Sequence, residues 1–226
     1  GMRVEEGQVM ATLDPIDADG QKQAEWRTDP ERAGRSACLA DIGVHAFNLA
    51  RFVTDMVPNE VAADLTTFVP GRRLDDNAHV MMRYAGGARG VLVASQVSPG
   101  NYNRLSLKVY GEKAGLEWFA HEPEVLRFSP FGEPTRILTR GGPGVGAAAA
   151  SVSRMPAEHP EGYVEGFANL YRDAAALIVA RRAGRTPDPA LVAAVPSIHD
   201  GLAGMRFIEA AVDSHENGGT WTTLAA

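Results

Sequence analysis

The chain has 226 residues, 45% hydrophobic and 22% charged, enough to bury a real core as one large globular domain or two small ones. Its 28 acidic against 22 basic residues give a net charge of -6, and no basic run exceeds pairs such as Arg72-Arg73 and Arg181-Arg182, which argues against a nucleic-acid partner. A single cysteine, Cys38, excludes an internal disulfide. The first residues lack a signal-peptide pattern, and no run reaches the roughly 18 apolar residues of a membrane helix, so a cytoplasmic protein with no membrane partner is expected.

Residues 1–36 are polar, with turn formers in LDPIDADG and RTDPERAG and one large apolar anchor, Trp26; the first 23 are expected to be a connecting segment. From Leu39 to Val53 the apolar residues Leu39, Ile42, Phe47, Leu49, Phe52 and Val53 fit one broad helical stripe that ends before Pro58. The pattern then changes to short runs rich in Val, Leu, Thr, Tyr and Phe: EVAADLTTFV, NAHVMMRYA, ARGVLVASQV, RLSLKVYG, GLEWFA, EVLRF and TRILTR. Connections this brief make neighbouring strands antiparallel, and Gly86-Gly87 marks the clearest hairpin. A meandering sheet is expected.

GGPGVGAAAASVSRMPAEHP is low in complexity and predicts a mobile loop. A helix from about Glu161 to Ala183 places Tyr163, Phe167, Leu170, Tyr171, Ala174, Leu177 and Ile178 on one face, and the spacing of its aromatic residues favours core packing over a sugar-stacking stripe. A last helix starts at Ser197, with Asp200 completing a capping-box signature, directs Leu202, Met205, Ile208 and Val212 inward, and stops at Gly218-Gly219 before the strand TWTTL. The predicted fold class is α+β: an open, mainly antiparallel β-sheet with helices packed on one face.

Gly142, Gly144 and Ala147 satisfy the dinucleotide pattern G-x-G-x-x-G/A as a string, but AAAASVSR, cut by Pro156, is too short for the helix that should meet a pyrophosphate. No cofactor is therefore expected to bind this chain by itself, and no metal-ligand spacing exists among its Cys, His and acidic residues. DIGVH is the sharper pattern: four residues apart on a helix, the Asp41 carboxylate can accept a hydrogen bond from the His45 imidazole and fix its tautomer. Such a pair moves protons, or is an ordinary helical ion pair, or a satisfied core histidine. His159 at the mouth of a helix, and the polar cluster Asn101, Tyr102, Asn103 and Arg104 between two strands, are further candidates for binding hydroxyl groups; a cap and a plain turn are their bland alternatives. His79, His121, His199 and His215 read as structural, and Cys38, with no base at motif spacing, as a small buried residue.

WRTDPERAGRSACLADIGVHAFNLARFVT, followed in order by DDNAHVMMRYAGGARGVLVAS, RLSLKVYGEKAGLEW, HPEGYVEGFANLY and PSIHDGLAGMRFIEAAVDSHENGGTW, resembles the C-terminal domain of the Gfo/Idh/MocA oxidoreductases. The resemblance covers about residues 24–224 and implies a substrate and oligomerisation domain over 24–226. It implies a sugar or polyol substrate, and NAD or NADP as cofactor in a full-length protein whose dinucleotide-binding half has no counterpart in these residues. It also implies a homo-oligomer formed through the open sheet face. The family's Asp-x-x-x-His pair maps onto Asp41 and His45 as orienting partner and acid/base, while Asn48 stands where the family often has an acid. Asn48, His159, Asn103 and Arg104 are then the expected substrate ligands. The alternative is a stand-alone, non-catalytic dimerisation or carbohydrate-binding module.

Overall fold

The computed structural model describes residues 26–224, so the expected connecting segment over residues 1–23 lies outside the described residues. All seven strand runs form: β1 (Pro58–Thr66), β2 (Asn77–Tyr84), β3 (Arg89–Ser95), β4 (Ser106–Tyr110), β5 (Ala114–Phe119), β6 (Val125–Pro130) and β7 (Arg136–Thr139), with the short β8 (Thr222–Thr223) near the C-terminus. Every pairing is antiparallel. One meander was expected; instead the strands make two sheets, ordered β3-β2-β1-β8 and β4-β5-β6-β7. The break falls after β3, where Ser98-Pro99-Gly100 makes the connection too long for a hairpin and Pro99 removes a ladder donor.

The chain divides accordingly into two units, one holding residues up to Tyr102 and from Asp200 onward, the other Asn103–His199. In the first unit the register aligns Val61, Ala63 and Leu65 with Met82, Val80 and Ala78, and these with Leu92 and Ala94, in one apolar row. That face is buried under a wide π-helical turn (Leu39–Gly43) that runs into helix α2 (Val44–Thr54), and under α6 (Ile198–Glu216); a short α1 (Pro30–Ala33) precedes them. Phe47 and Phe207 stack at 4.3 Å between the two long helices. Beside them Gly204 permits the close approach, since a Cβ there would meet Val44 Cγ2 at 3.0 Å. On the opposite sheet face, among the described residues, Met81, Val91 and Val93 are exposed.

Two expected stripes are corrected in this unit. Leu202 and Met205 are exposed, whereas Ile208 and Val212 are buried as expected, together with Gly204, Phe207 and Ala211. Bulk suggested the first two residues; close packing on Val44 selected the face that carries a glycine. Likewise Ile42, Phe52 and Val53 are exposed while Leu39 and Phe47 are buried. The wide turn at Leu39–Gly43 shifts the phase of the stripe.

The second unit holds β4–β7 with α3 (Ala147–Val152), α4 (Tyr163–Arg182) and α5 (Pro189–Ala194). Tyr163, Phe167 and Tyr171, expected in a core, are exposed, with Tyr163 and Phe167 in contact at 5.0 Å. Their periodicity marked an apolar face correctly but carried no information about what covers it. The segment predicted as a mobile loop contains the helix α3. Arg140 donates to the carbonyls of Met155 and His159 at 2.8 and 2.6 Å, and the Glu161 carboxylate accepts from the backbone N–H of Arg154 and Met155.

Candidate functional site

The site helix begins at a buried acid. Asp75, in the approach to β2, accepts from Ala37 N through Oδ1 at 2.7 Å and from Leu39 N through Oδ2 at 2.9 Å, while its carbonyl accepts from Cys38 N at 3.1 Å. One residue thus satisfies three successive N–H groups at the start of the turn that carries Asp41. Asp76 is fully buried and is bound in turn by Phe68 N and Val69 N, both at 2.9 Å, with Arg72 3.3 Å away. Neither acid was singled out from the sequence; two adjacent aspartates before an alternating strand were the only signal.

Val44 N donates to Leu39 O, five residues back, which widens the turn around Asp41. Gly43 lies at the crowded inside of that turn, where a Cβ would stand 2.7 Å from Leu39 Cδ1. Asp41 is half-buried, and both of its oxygens face other partners: Arg27 Nε is 3.2 Å from Oδ1, and Gln96 Nε2 donates to Oδ2 at 3.3 Å. The expected hydrogen bond from His45 to Asp41 is absent among the described residues. The wide turn shifts the phase between the two side chains, and the carboxylate instead faces Arg27 as an ion pair and accepts from Gln96. His45 and Asn48 are exposed three residues apart on the outward face of α2, flanked by the exposed Ile42 and Phe52. They form a polar pair between apolar neighbours, a surface suited to a compound with both C–H and O–H faces.

Cys38, one residue before this turn, is fully buried. Burial, then the negative charges of Asp75, Asp76 and Asp41, push its thiol far above the ordinary range. It is no nucleophile at neutral pH. A recess lined by Thr28, Ala37, Arg72, Leu74, Asp75 and Gln96 admits a water-sized guest and not a sugar.

The remaining candidates belong to the second unit. Asn103 adopts a left-handed φ of 38° in an exposed turn, next to the exposed Arg104. His159 is exposed, its Nδ1 3.2 Å from the Ala157 carbonyl and its own carbonyl held by Arg140. No group of metal-ligating side chains exists among the described residues. The glycine string leads into a helix of only six residues, Ala147–Val152. That arrangement does not fit a dinucleotide. No described helix is long and apolar enough to cross a membrane.

The profile described as the GFO/IDH/MocA C-terminal domain matches residues 9–117. Over these residues the chain is similar to the C-terminal domain of the Gfo/Idh/MocA oxidoreductases. It is 35% identical over 199 residues, 87% of its length, to the uncharacterized oxidoreductase YfiI of Bacillus subtilis. Among solved structures it is similar to an oxidoreductase from Sinorhizobium meliloti (50% identity, TM-score 0.78, 82% of this chain and 52% of that one). An inositol dehydrogenase homolog from Azotobacter vinelandii, solved with NADH and myo-inositol, is 34% identical with a TM-score of 0.81, covering 89% of this chain and 52% of that one. The chain spans about half the length of each of these relatives.

Proposed function

We propose that residues 24–226 are the substrate-binding and oligomerisation part of a cytoplasmic NAD(P)-dependent dehydrogenase acting on a sugar, a polyol or a related hydroxylated compound. The observation that carries this reading is the outward His45–Asn48 pair on α2, set above an Asp41 that faces Arg27 and Gln96. It stands in a chain similar to a protein solved with myo-inositol and NADH. A nicotinamide held by a dinucleotide-binding half would supply the hydride acceptor. The imidazole of His45, exposed and bonded to no described side chain, takes the hydroxyl proton. Asn48 accepts from or donates to a neighbouring hydroxyl, which an amide does in either sense, but it is no base. Asp41 supplies a fixed negative charge beside the forming imidazolium. His159, Asn103 and Arg104 are proposed as further hydroxyl ligands.

The exposed Met81, Val91 and Val93 support the oligomerisation part of the reading, because an uncovered apolar sheet face loses its contact with water when a second subunit packs on it. The same face supports the second reading, a dimerisation module without catalysis. Turnover separates the two. Joined to a dinucleotide-binding half, the chain should reduce NAD or NADP with a polyol substrate, and His45→Ala should lower kcat by about 10² to 10⁴.

A further inference from the structure

We propose that Gln96 is a positioning residue for the Asp41 carboxylate, holding it away from His45 so that both imidazole nitrogens remain available to substrate. This rests on the reading of His45 as the proton-handling group. Gln96 follows β3, and its backbone N–H donates to the Asp76 carbonyl at 2.9 Å, while its side-chain Nε2 donates to Asp41 Oδ2 at 3.3 Å. The start of the helix carrying Asp41 hangs on Asp75, the adjacent residue. Donor and acceptor are therefore both fixed to one buried dipeptide, whose second member is itself bound by Phe68 N and Val69 N. A flexible surface glutamine would contribute little here; one anchored at its backbone loses less freedom on forming the bond. Arg27 Nε stands 3.2 Å from Oδ1 in an ion pair without hydrogen-bond geometry. Facing Arg27 on one side and bonded by Gln96 on the other, the carboxylate acts as a stationary charge rather than as the histidine's hydrogen-bond acceptor.

Two measurements test this. In the 15N-labelled chain, Asp41→Asn should displace the side-chain amide resonances of Gln96, because the charge that polarises them is gone. Unmoved resonances would overturn the proposal. In the enzyme joined to its dinucleotide-binding half, Gln96→Glu keeps the shape but removes the donor and sets two carboxylates against each other. Positioning predicts roughly a 10-fold lower kcat with KM within about twofold. Gln96→Leu should fall in the same direction. If Gln96 only fills space, Gln96→Glu keeps full kcat, and that result in an enzyme inactivated by His45→Ala sinks the positioning role. Full turnover of His45→Ala sinks the catalytic reading instead, a result separate from the amide resonances.

Discussion

Replacing Asp75 by alanine should destabilise the first unit far more than removal of an ordinary helix cap. The side chain accepts from the N–H groups of two buried residues, Ala37 at 2.7 Å and Leu39 at 2.9 Å. Each buried donor left without an acceptor costs about 1–3 kcal/mol, so Asp75→Ala should cost roughly 2–6 kcal/mol. Asp75→Asn keeps one acceptor oxygen and turns an amide N–H₂ toward the other donor, which sets its loss nearer about 1–3 kcal/mol. Asp29, which caps α1 through Glu31 N at 3.1 Å in an exposed setting, is the internal control: Asp29→Ala should cost about 1 kcal/mol or less. Urea unfolding gives the ranking, and native-state hydrogen exchange at Ala37 and Leu39 locates it. An Asp75→Ala chain within about 0.5 kcal/mol of wild type, or with protection at both amides intact, would refute the reasoning.

The buried Cys38 thiol sits above its ordinary value of 9.0 in the folded chain, so above about pH 9 the unfolded chain ionises there and the folded one does not. Stability should therefore fall with rising pH by up to about 1.4 kcal/mol per unit more than in Cys38→Ala, and pH-dependent urea curves showing equal slopes would contradict it. Val93→Glu on the free sheet face should shift the protein toward monomer in sedimentation equilibrium, and a wild-type chain that is already monomeric at micromolar concentration removes the interface. Calorimetric titration of the isolated chain with NAD or NADP should give no micromolar isotherm; a saturable one would mean that Gly142–Ala147 binds the cofactor after all.

The strands were legible because alternation is a local property: the row Val61, Ala63 and Leu65 opposite Met82, Val80 and Ala78 is written in the residues themselves. The Gly86-Gly87 turn was equally plain, with φ of 77° and 94° in positions few other residues accept. That β4 leaves β3 for a second sheet was not legible, since alternation says nothing about the partner strand. At the site, Asp41 and His45 are legible by their spacing and Asn48 only through the family resemblance, but that spacing reads alike for an α-turn and for the wide turn that forms. It gave the wrong partner for Asp41. Gln96 is 55 residues from Asp41, and no local pattern connects them. Asp75 is a cap reached from a different part of the chain, and nothing in its local sequence marks that role.

The most direct test of the account is the turnover of His45→Ala against wild type in an enzyme made by joining this chain to a dinucleotide-binding half, followed by nicotinamide reduction with a panel of polyols and sugars. The account predicts measurable wild-type turnover on at least one of them and a kcat lower by about 10² to 10⁴ in the variant, with folding preserved because His45 is exposed. A variant that turns over as fast as wild type would contradict the assignment of the proton step to His45.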